Sequence, residues 1–385
     1  MTENVKNALL PAGLRDVLPG DASPEAELVE RIVAFFGQNG YERVKTPLIE
    51  FEDSLLSGAG VALAPQTFRL MDPVSQRMMA VRADITPQIA RIARTRLSEA
   101  PRPLRVSYSG EVLRVRGSQL RPERQILQVG AELIGSESPS ADTEIICLAT
   151  DAINSLGCDD FSVDLTVPRL IPSILGQFEL TENQLAAIRM GLDRKDPEAI
   201  KAHAGQATKT LTALFDATGS VDEALARLKD LSLPDTAGAE RGRLEEVVTL
   251  LQTESPSLRL TLDPVENRGF EYHTGIGFTI FARGTAGELA RGGRYRVRGD
   301  ASEDEERATG VTLYVDTILG MLPRSKGRRR ILLPRKISRG IKLDLQKDGW
   351  ITVSSLDDNG DLCEQAKHMA CSHFFGKTGP ELVKG

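Results

Sequence analysis

The segment from Arg268 to Tyr295, RGFEYHTGIGFTIFARGTAGELARGGRY, constrains the fold more than any other stretch of the chain. Its centre, Ile276 to Phe281, is β-branched and aromatic and reads as a strand. Gly269, Gly275, Gly277, Gly284, Gly287, Gly292 and Gly293 interrupt it. Glycine at that density weakens a sheet unless something must approach the backbone closely. Between the glycines stand Arg268, Glu271, Tyr272, His273, Arg291, Arg294 and Tyr295, all able to grip a small polar molecule. Two readings follow: a glycine-bulged hairpin with its polar residues facing water, or one wall of a ligand site.

The surrounding chain supplies a mixed α+β framework. Ser23-Pro24-Glu25 has the form of a helix start, with Leu28, Ile32, Phe35 and Phe36 at helical spacing up to Gly37 and Gly40. Tyr41 to Pro47 reads as a short strand, and Phe68–Met71 with Arg77–Arg82 as a hairpin across Asp72-Pro73. Asp84 or Thr86 caps a helix running to Arg96. Leu104–Tyr108, Val112–Arg116 and Gln125–Ile134 alternate as three antiparallel strands, followed by a helix over 141–156 and a strand over 161–167. From about 168 to 256 the chain is rich in Ala, Leu, Glu, Asp and Lys, with breaks expected at Gly191, Gly205, Gly219 and Pro234. That region reads as a helical insertion between two parts of one antiparallel sheet. Strands over 258–262 and 310–315 and a helix over 316–322 complete a core spanning 1–323. Residues 324–385 form a small α/β unit, with strands at 331–333, 350–353 and 371–375.

Composition narrows the function classes. With 41% hydrophobic and 26% charged residues, 385 residues suit a soluble globular protein of two or three domains. The amino-terminal stretch lacks the basic-then-apolar pattern of a signal peptide, and no apolar run is long enough to span a bilayer, so the expectation is a cytoplasmic protein without membrane association. A net charge of −6 argues against a protein that coats nucleic acid. The basic run Arg324, Lys326, Arg328, Arg329 and Arg330 reads as a solvated linker. Cys363, His368, Cys371 and His373 are metal-ligand types, but their spacing fits no common zinc pattern, and no metal is expected.

Polar groups gather in four places. Asp84 and Thr86 set an acid and a hydroxyl just before a helix, where they can accept from an ammonium group or simply cap the helix. Arg114 and Arg116 share one strand face, and Gln128, Gly130 and Glu132 share another, with Gly130 as a floor for a ligand or part of a wet sheet surface. The Arg268–Tyr295 segment is the third place and Thr309 to Thr317 the fourth.

Taken in order, these motifs resemble the catalytic core of histidyl-tRNA synthetases, a class II aminoacyl-tRNA synthetase family, over roughly residues 10 to 322. RGFEYHTG is similar to the family's RGLDYYTG, RGGRY to GGGRYD, and VRADIT to LRPEGT. Arg114, Gln128 and Glu132 fall where the family's second motif places its arginine, glutamine and glutamate. The resemblance implies a class II antiparallel sheet flanked by helices and a histidine pocket. In that pocket Asp84, Thr86 and Gln128 would hold the α-amino group, Glu132 and His273 would face the imidazole, and Arg268 would lie beside the carboxylate. Arg114 and Tyr272 join them as candidate histidine-binding residues.

The departures concern ATP. A synthetase needs guanidinium forks on the nucleotide phosphates. Thr317 stands where the family's last-motif arginine belongs, Arg116 replaces an acid, and Ile126 replaces the phenylalanine that stacks on adenine. The 62 residues after Pro323 (385 − 323) are fewer than the family's anticodon-binding domain. A kept amino-acid pocket beside a decayed nucleotide site resembles the regulatory subunits of ATP phosphoribosyltransferase. That resemblance implies no catalytic residues and no cofactor, histidine as effector and feedback inhibition in the first step of histidine biosynthesis. The partners it implies are a short-form catalytic subunit and a second copy of the chain, without tRNA. A working histidyl-tRNA synthetase, or a paralogue acting on another amino acid or protein, stays open as the alternative.

Overall fold

A computed structural model describes residues 9–117, 122–266, 273–285, 287–297, 305–323, 329–357 and 360–383. The chain divides into two compact units, Met1–Leu322 and Pro323–Gly385.

The first unit opens with α1 (Ala22–Gln38), which buries Leu28, Val29, Ile32, Val33 and Phe36 along one stripe. The helix starts earlier than Ser23 suggests. Asp21 holds the cap position, and Pro24 lies in the first turn, where its missing N–H costs nothing. The expected strand over Tyr41–Pro47 shrinks to two residues, β1 (Glu42–Arg43), before the chain re-forms as β2 (Ile49–Phe51). β3 (Arg69–Met71) and β4 (Met78–Val81) pair antiparallel, their turn held by Asp72, whose carboxylate accepts from Val74 N at 3.1 Å and Ser75 N at 3.2 Å. α2 (Thr86–Thr95) follows with proline in its first turn.

β5 (Leu104–Leu113) and β6 (Gln125–Ile134) form an unbroken antiparallel pair. The two strands expected over Leu104–Tyr108 and Val112–Arg116 are therefore one, because Gly110 stays in register opposite Gln128. That strand ends at Leu113, leaving Arg116 outside it. α3 (Pro139–Ser155) and β7 (Phe161–Thr166) come next. The insertion then builds α4 (Leu170–Leu175), α5 (Glu182–Asp193), α6 (Pro197–His203), α7 (Thr208–Asp216), the two-residue β8 (Gly219–Ser220), α8 (Val221–Lys229) and α9 (Asp235–Glu254). Gly191 breaks nothing. It sits inside α5, where an added Cβ would come within 3.0 Å of Ile200, so it serves close packing and the turn falls at Lys195 (φ 54°).

β9 (Leu260–Asp263), β10 (His273–Ala282), β11 (Glu288–Val297), β12 (Glu306–Tyr314) and α10 (Val315–Met321) complete the unit. Nine strands make one sheet in the order β1-β5-β6-β12-β11-β10-β7-β9-β8, antiparallel except at the β1–β5 and β7–β9 pairings. One face carries Val129, Ala131, Leu133, Val163, Leu165, Ile276, Phe278, Val311 and Leu313 into a core shared with α1, α3 and the insertion. The opposite face meets α2 through Ile85, Ile89, Val106, Tyr108, Ile126, Tyr295 and Tyr314. The central strands are thus covered on both sides, and that is why β6 stays buried from Gln128 onward. Among the described residues, no helix is long and apolar enough to cross a membrane.

The second unit consists of β13 (Arg330–Leu333), α11 (Arg339–Lys347), β14 (Ile351–Ser354), α12 (Leu362–His368), β15 (His373–Phe375) and β16 (Pro380–Leu382). Its sheet runs β14-β13-β15-β16. Alternation along β13 sends Ile331 and Leu333 towards Leu345 on one face and Leu332 towards Ala366 and Cys371 on the other. The edge strand β16 escapes sequence reading because it starts on proline, is exposed throughout, and shows no alternation. Of the basic run, positions 324 to 328 lie outside the described residues.

Candidate functional site

The α2 face of the sheet holds a buried polar network centred on Glu132, which is 1% exposed. Its Oε1 accepts from Thr86 Oγ1 at 3.1 Å and from Tyr108 OH at 3.3 Å, and its Oε2 accepts from Tyr295 OH at 2.9 Å. Thr312 Oγ1 lies 2.9 Å from Tyr108 OH. A phenol carries one proton, so when Tyr108 donates to Glu132 it accepts from Thr312. Three hydroxyls from three elements therefore converge on one carboxylate.

Sequence decides why the carboxylate fits. β12 pairs Gly310 with Glu132, and a Cβ at Gly310 would fall 1.7 Å from Glu132 Oε2. Only a residue without a side chain leaves room there. The same holds at Gly293 in β11, where a Cβ would stand 2.9 Å from the His273 ring. Gly130, expected as a floor for a ligand, instead lies under the Tyr108 ring, directly opposite it across β5 and β6.

Burial governs the electrostatics. Desolvation pushes the Glu132 carboxyl up to about 8; the bond from Tyr295 opposes this and the charge of Asp84 adds to it. Desolvation and then the nearby Arg291 guanidinium push His273 down to about 3, leaving a neutral imidazole in neutral solution. Burial raises the Tyr108 phenol, with Glu132 and Asp84 reinforcing the shift. Thr86, Glu132, His273, Arg291, Tyr295 and Thr312 border a cavity of about 10 Å³. That is smaller than the usual range for ligand pockets.

A second group adjoins it. Gln128, fully buried, donates from Nε2 to Asp84 Oδ2 at 3.2 Å and accepts from Ile85 N at 3.3 Å. Asp84 Oδ1 accepts from Thr86 N at 2.9 Å. The cap position of α2 is Ile85, without a side-chain cap bond, rather than the expected Asp84 or Thr86; Asp84 instead shapes the turn ahead of it while its carboxylate also faces Gln128. Thr86 belongs to both groups and joins them.

Of the residues singled out in sequence, Asp84, Thr86, Gln128, Glu132 and His273 come together here. Arg268 and Tyr272 lie outside the described residues. Arg114 stands further out: its Nε donates to Ala83 O at 3.4 Å, and it is not among the residues bordering the cavity. Arg294, grouped in sequence with the gripping residues, points to the opposite face. It donates to Asp142 at 2.9 Å and to the carbonyls of Ser136 and Ser138 at 2.6 and 3.0 Å. Ile126 is buried among apolar side chains, and Arg116 is exposed. Sequence reading passed over Tyr108 and placed Thr312 in its fourth polar stretch without a role. The available signal was register: a glycine flanked by Gln128 and Glu132 requires a large cross-strand neighbour to close the space.

Comparison with known proteins gives a consistent set of relatives. The profile of the histidyl-tRNA synthetase family matches residues 13–318. An ATP phosphoribosyltransferase regulatory subunit from Paramagnetospirillum magneticum is 50% identical, over 98% of this chain and 99% of that one. The protein of that description from Rhodospirillum centenum is 52% identical over 96% of this chain and 94% of its own. Among solved structures, a Bacillus halodurans protein described as an ATP phosphoribosyltransferase regulatory subunit/histidyl-tRNA synthetase superposes with a TM-score of 0.80 at 22% identity, covering 94% of this chain and 96% of that one.

Proposed function

We infer that this chain, which belongs to the family of ATP phosphoribosyltransferase regulatory subunits and shares the histidyl-tRNA synthetase fold, acts as the regulatory subunit in the first step of histidine biosynthesis. The observation that carries this reading is near-full-length identity to regulatory subunits, combined with a polar pocket that has an acid at each end.

The effector we propose is L-histidine. Its ammonium group would sit against Asp84, Thr86 and Gln128, and its imidazole between Glu132 and the neutral His273. Neutral imidazole carries one donor and one acceptor. A Glu132 whose proton is held to about 8 can meet either nitrogen. Arg268 would take the carboxylate, with Tyr272 and Arg114 as the remaining candidate contacts. The partner is a short-form catalytic subunit, and a second copy of the chain forms a homodimer. We place the assembly in the cytoplasm and assign it no cofactor, no tRNA and no aminoacylation. The chemistry supports that last point: Thr317 and Ile126 offer neither a guanidinium for phosphate nor an aromatic face for adenine. Inhibition then follows from histidine binding one state of the assembly better than another.

Two assays test this. Pure protein should show no histidine-dependent ATP–pyrophosphate exchange; measurable exchange would restore a synthetase. Mixing with a short-form phosphoribosyltransferase subunit should raise that subunit's activity and make it histidine-sensitive. No change in either property would overturn the regulatory reading.

A further inference from the structure

Behind the sheet, on the face opposite Glu132, lies a cleft of about 180 Å³ that the histidine reading leaves unused. It lies between the insertion, which supplies Arg169, Glu240 and Arg243, and the sheet, which supplies Thr274, Arg294 and Arg307. Four guanidinium groups border it against two carboxylates, Glu137 and Glu240.

Those carboxylates do not use up the donors. Arg294 is saturated by Asp142 and two carbonyls and forms a fixed floor. Arg169 approaches Glu240 only to 3.7 Å, too far for a hydrogen bond. Arg307 spends one donor, Nε, on Glu137 Oε1 at 3.2 Å. Arg243 Nε stands 3.6 Å from Asp142 Oδ2. Both Arg243 Nε and Thr274 Oγ1 are buried without a hydrogen-bond partner. Leaving a buried polar atom without a partner is costly, so each such atom calls for a hydrogen-bond partner. Burial also raises the Glu240 carboxyl against the pull of Arg169, Arg243 and Arg307, which weakens the nearest competitor for those cations.

We propose that this cleft binds a small phosphate-bearing molecule. A planar carboxylate is satisfied by one guanidinium fork. Here forks arrive from the start of α4, from α9 and from β12, with a hydroxyl from β10, an arrangement that suits a tetrahedral oxyanion taking donors from several sides. The volume is below the usual range for drug-sized ligands and suits a small phosphate compound.

The test is calorimetry on the full chain at fixed ionic strength with three probes: inorganic pyrophosphate, ribose 5-phosphate and AMP. At least one should bind saturably, and the ranking separates bare phosphate from a sugar or nucleotide phosphate. Arg169→Ala and Arg307→Ala should each weaken that binding roughly tenfold or more, the value of a charged hydrogen bond. Arg116→Ala, exposed and outside the cleft, should leave it within about twofold. The Arg169 side chain makes no hydrogen bond among the described residues, so an unchanged unfolding midpoint in Arg169→Ala will confirm that its fold is intact. Absence of saturable binding by all three probes overturns the proposal. So does undiminished affinity in Arg169→Ala, or an equal loss in Arg116→Ala.

Discussion

Two regions on the α2 face of the sheet, the one around Glu132 and Asp84 proposed to take histidine and the one around Arg114, Arg116 and Ile126, differ in how their side chains are held. Around Glu132 and Asp84 the side chains of Thr86, Tyr108, Gln128 and Tyr295 are bonded to one carboxylate or the other, over a glycine or against the first turn of α2. In the other region Arg114 leans on a backbone carbonyl, Arg116 is exposed, and Ile126 has joined the apolar core. A preorganised, water-excluded pocket can discriminate a small amino acid by its hydrogen bonds alone. Activating that amino acid needs cations fixed on phosphates, which an exposed guanidinium does not supply. The contrast teaches that sensing and catalysis make separable demands on one fold.

The most severe way to break the contrast is Gly310→Ala. A methyl group 1.7 Å from Glu132 Oε2 cannot coexist with the carboxylate where it lies. Histidine affinity should fall by about a hundredfold or more, with a loss of stability of about 1–3 kcal/mol from overpacking. Adding Glu132→Ala should recover the stability but not the affinity; calorimetry and thermal unfolding of both variants check this. Glu132→Gln is milder. It keeps the shape and removes the titratable group, so histidine affinity should drop roughly tenfold to a hundredfold while association with the catalytic subunit is unaffected. Unchanged affinity would show that the pocket lies elsewhere.

A pH profile of the ligand-free protein sharpens the comparison further. Glu132 is raised from 4.5 to about 8, so the folded state holds its proton longer, and stability falls as pH rises through that window. His273 is lowered from 6.5 to about 3, so stability falls as pH drops through that window. Between 4.5 and 6.5 the two slopes oppose each other, leaving a plateau with a decline on either side. Each limb should approach about 1.4 kcal/mol per pH unit. Chemical denaturation across pH should show Glu132→Gln flattening the alkaline limb and His273→Asn the acid limb. A limb unchanged by its own variant would detach that residue from the profile.

Much of this was legible in the chain, for identifiable reasons. Alternation along β6 put Gln128 and Glu132 on one face, and the Asp84–Thr86 motif announced the helix start beside them. Local signals failed where a neighbouring strand decides. Tyr108 looks like an ordinary strand residue until register sets it over Gly130, and Thr312 until it reaches the same phenol. Arg294 sits one residue from Tyr295, yet the pleat sends the two to opposite faces, one to Asp142 and the other to Glu132. Gly191 was expected to break a helix, and the span around Gly110 to separate two strands, whereas packing and pairing use both glycines inside regular elements.

The smallest expected effect concerns the second region itself. Arg116 lies beyond the end of β5 and is exposed. Its charge is screened by solvent, and a lone exposed cation contributes little to a site it does not touch. Arg116→Ala should therefore change histidine affinity by less than about twofold and leave stability within about 0.5 kcal/mol. Arg114, which is partly buried and bonded to Ala83 O next to Asp84, should cost more when removed, because Ala83 O then loses a donor beside the proposed histidine site. Measuring both variants by the same calorimetry places the boundary between the two regions. If Arg116→Ala proves the more damaging, the second region still acts on the pocket and the two are not separable.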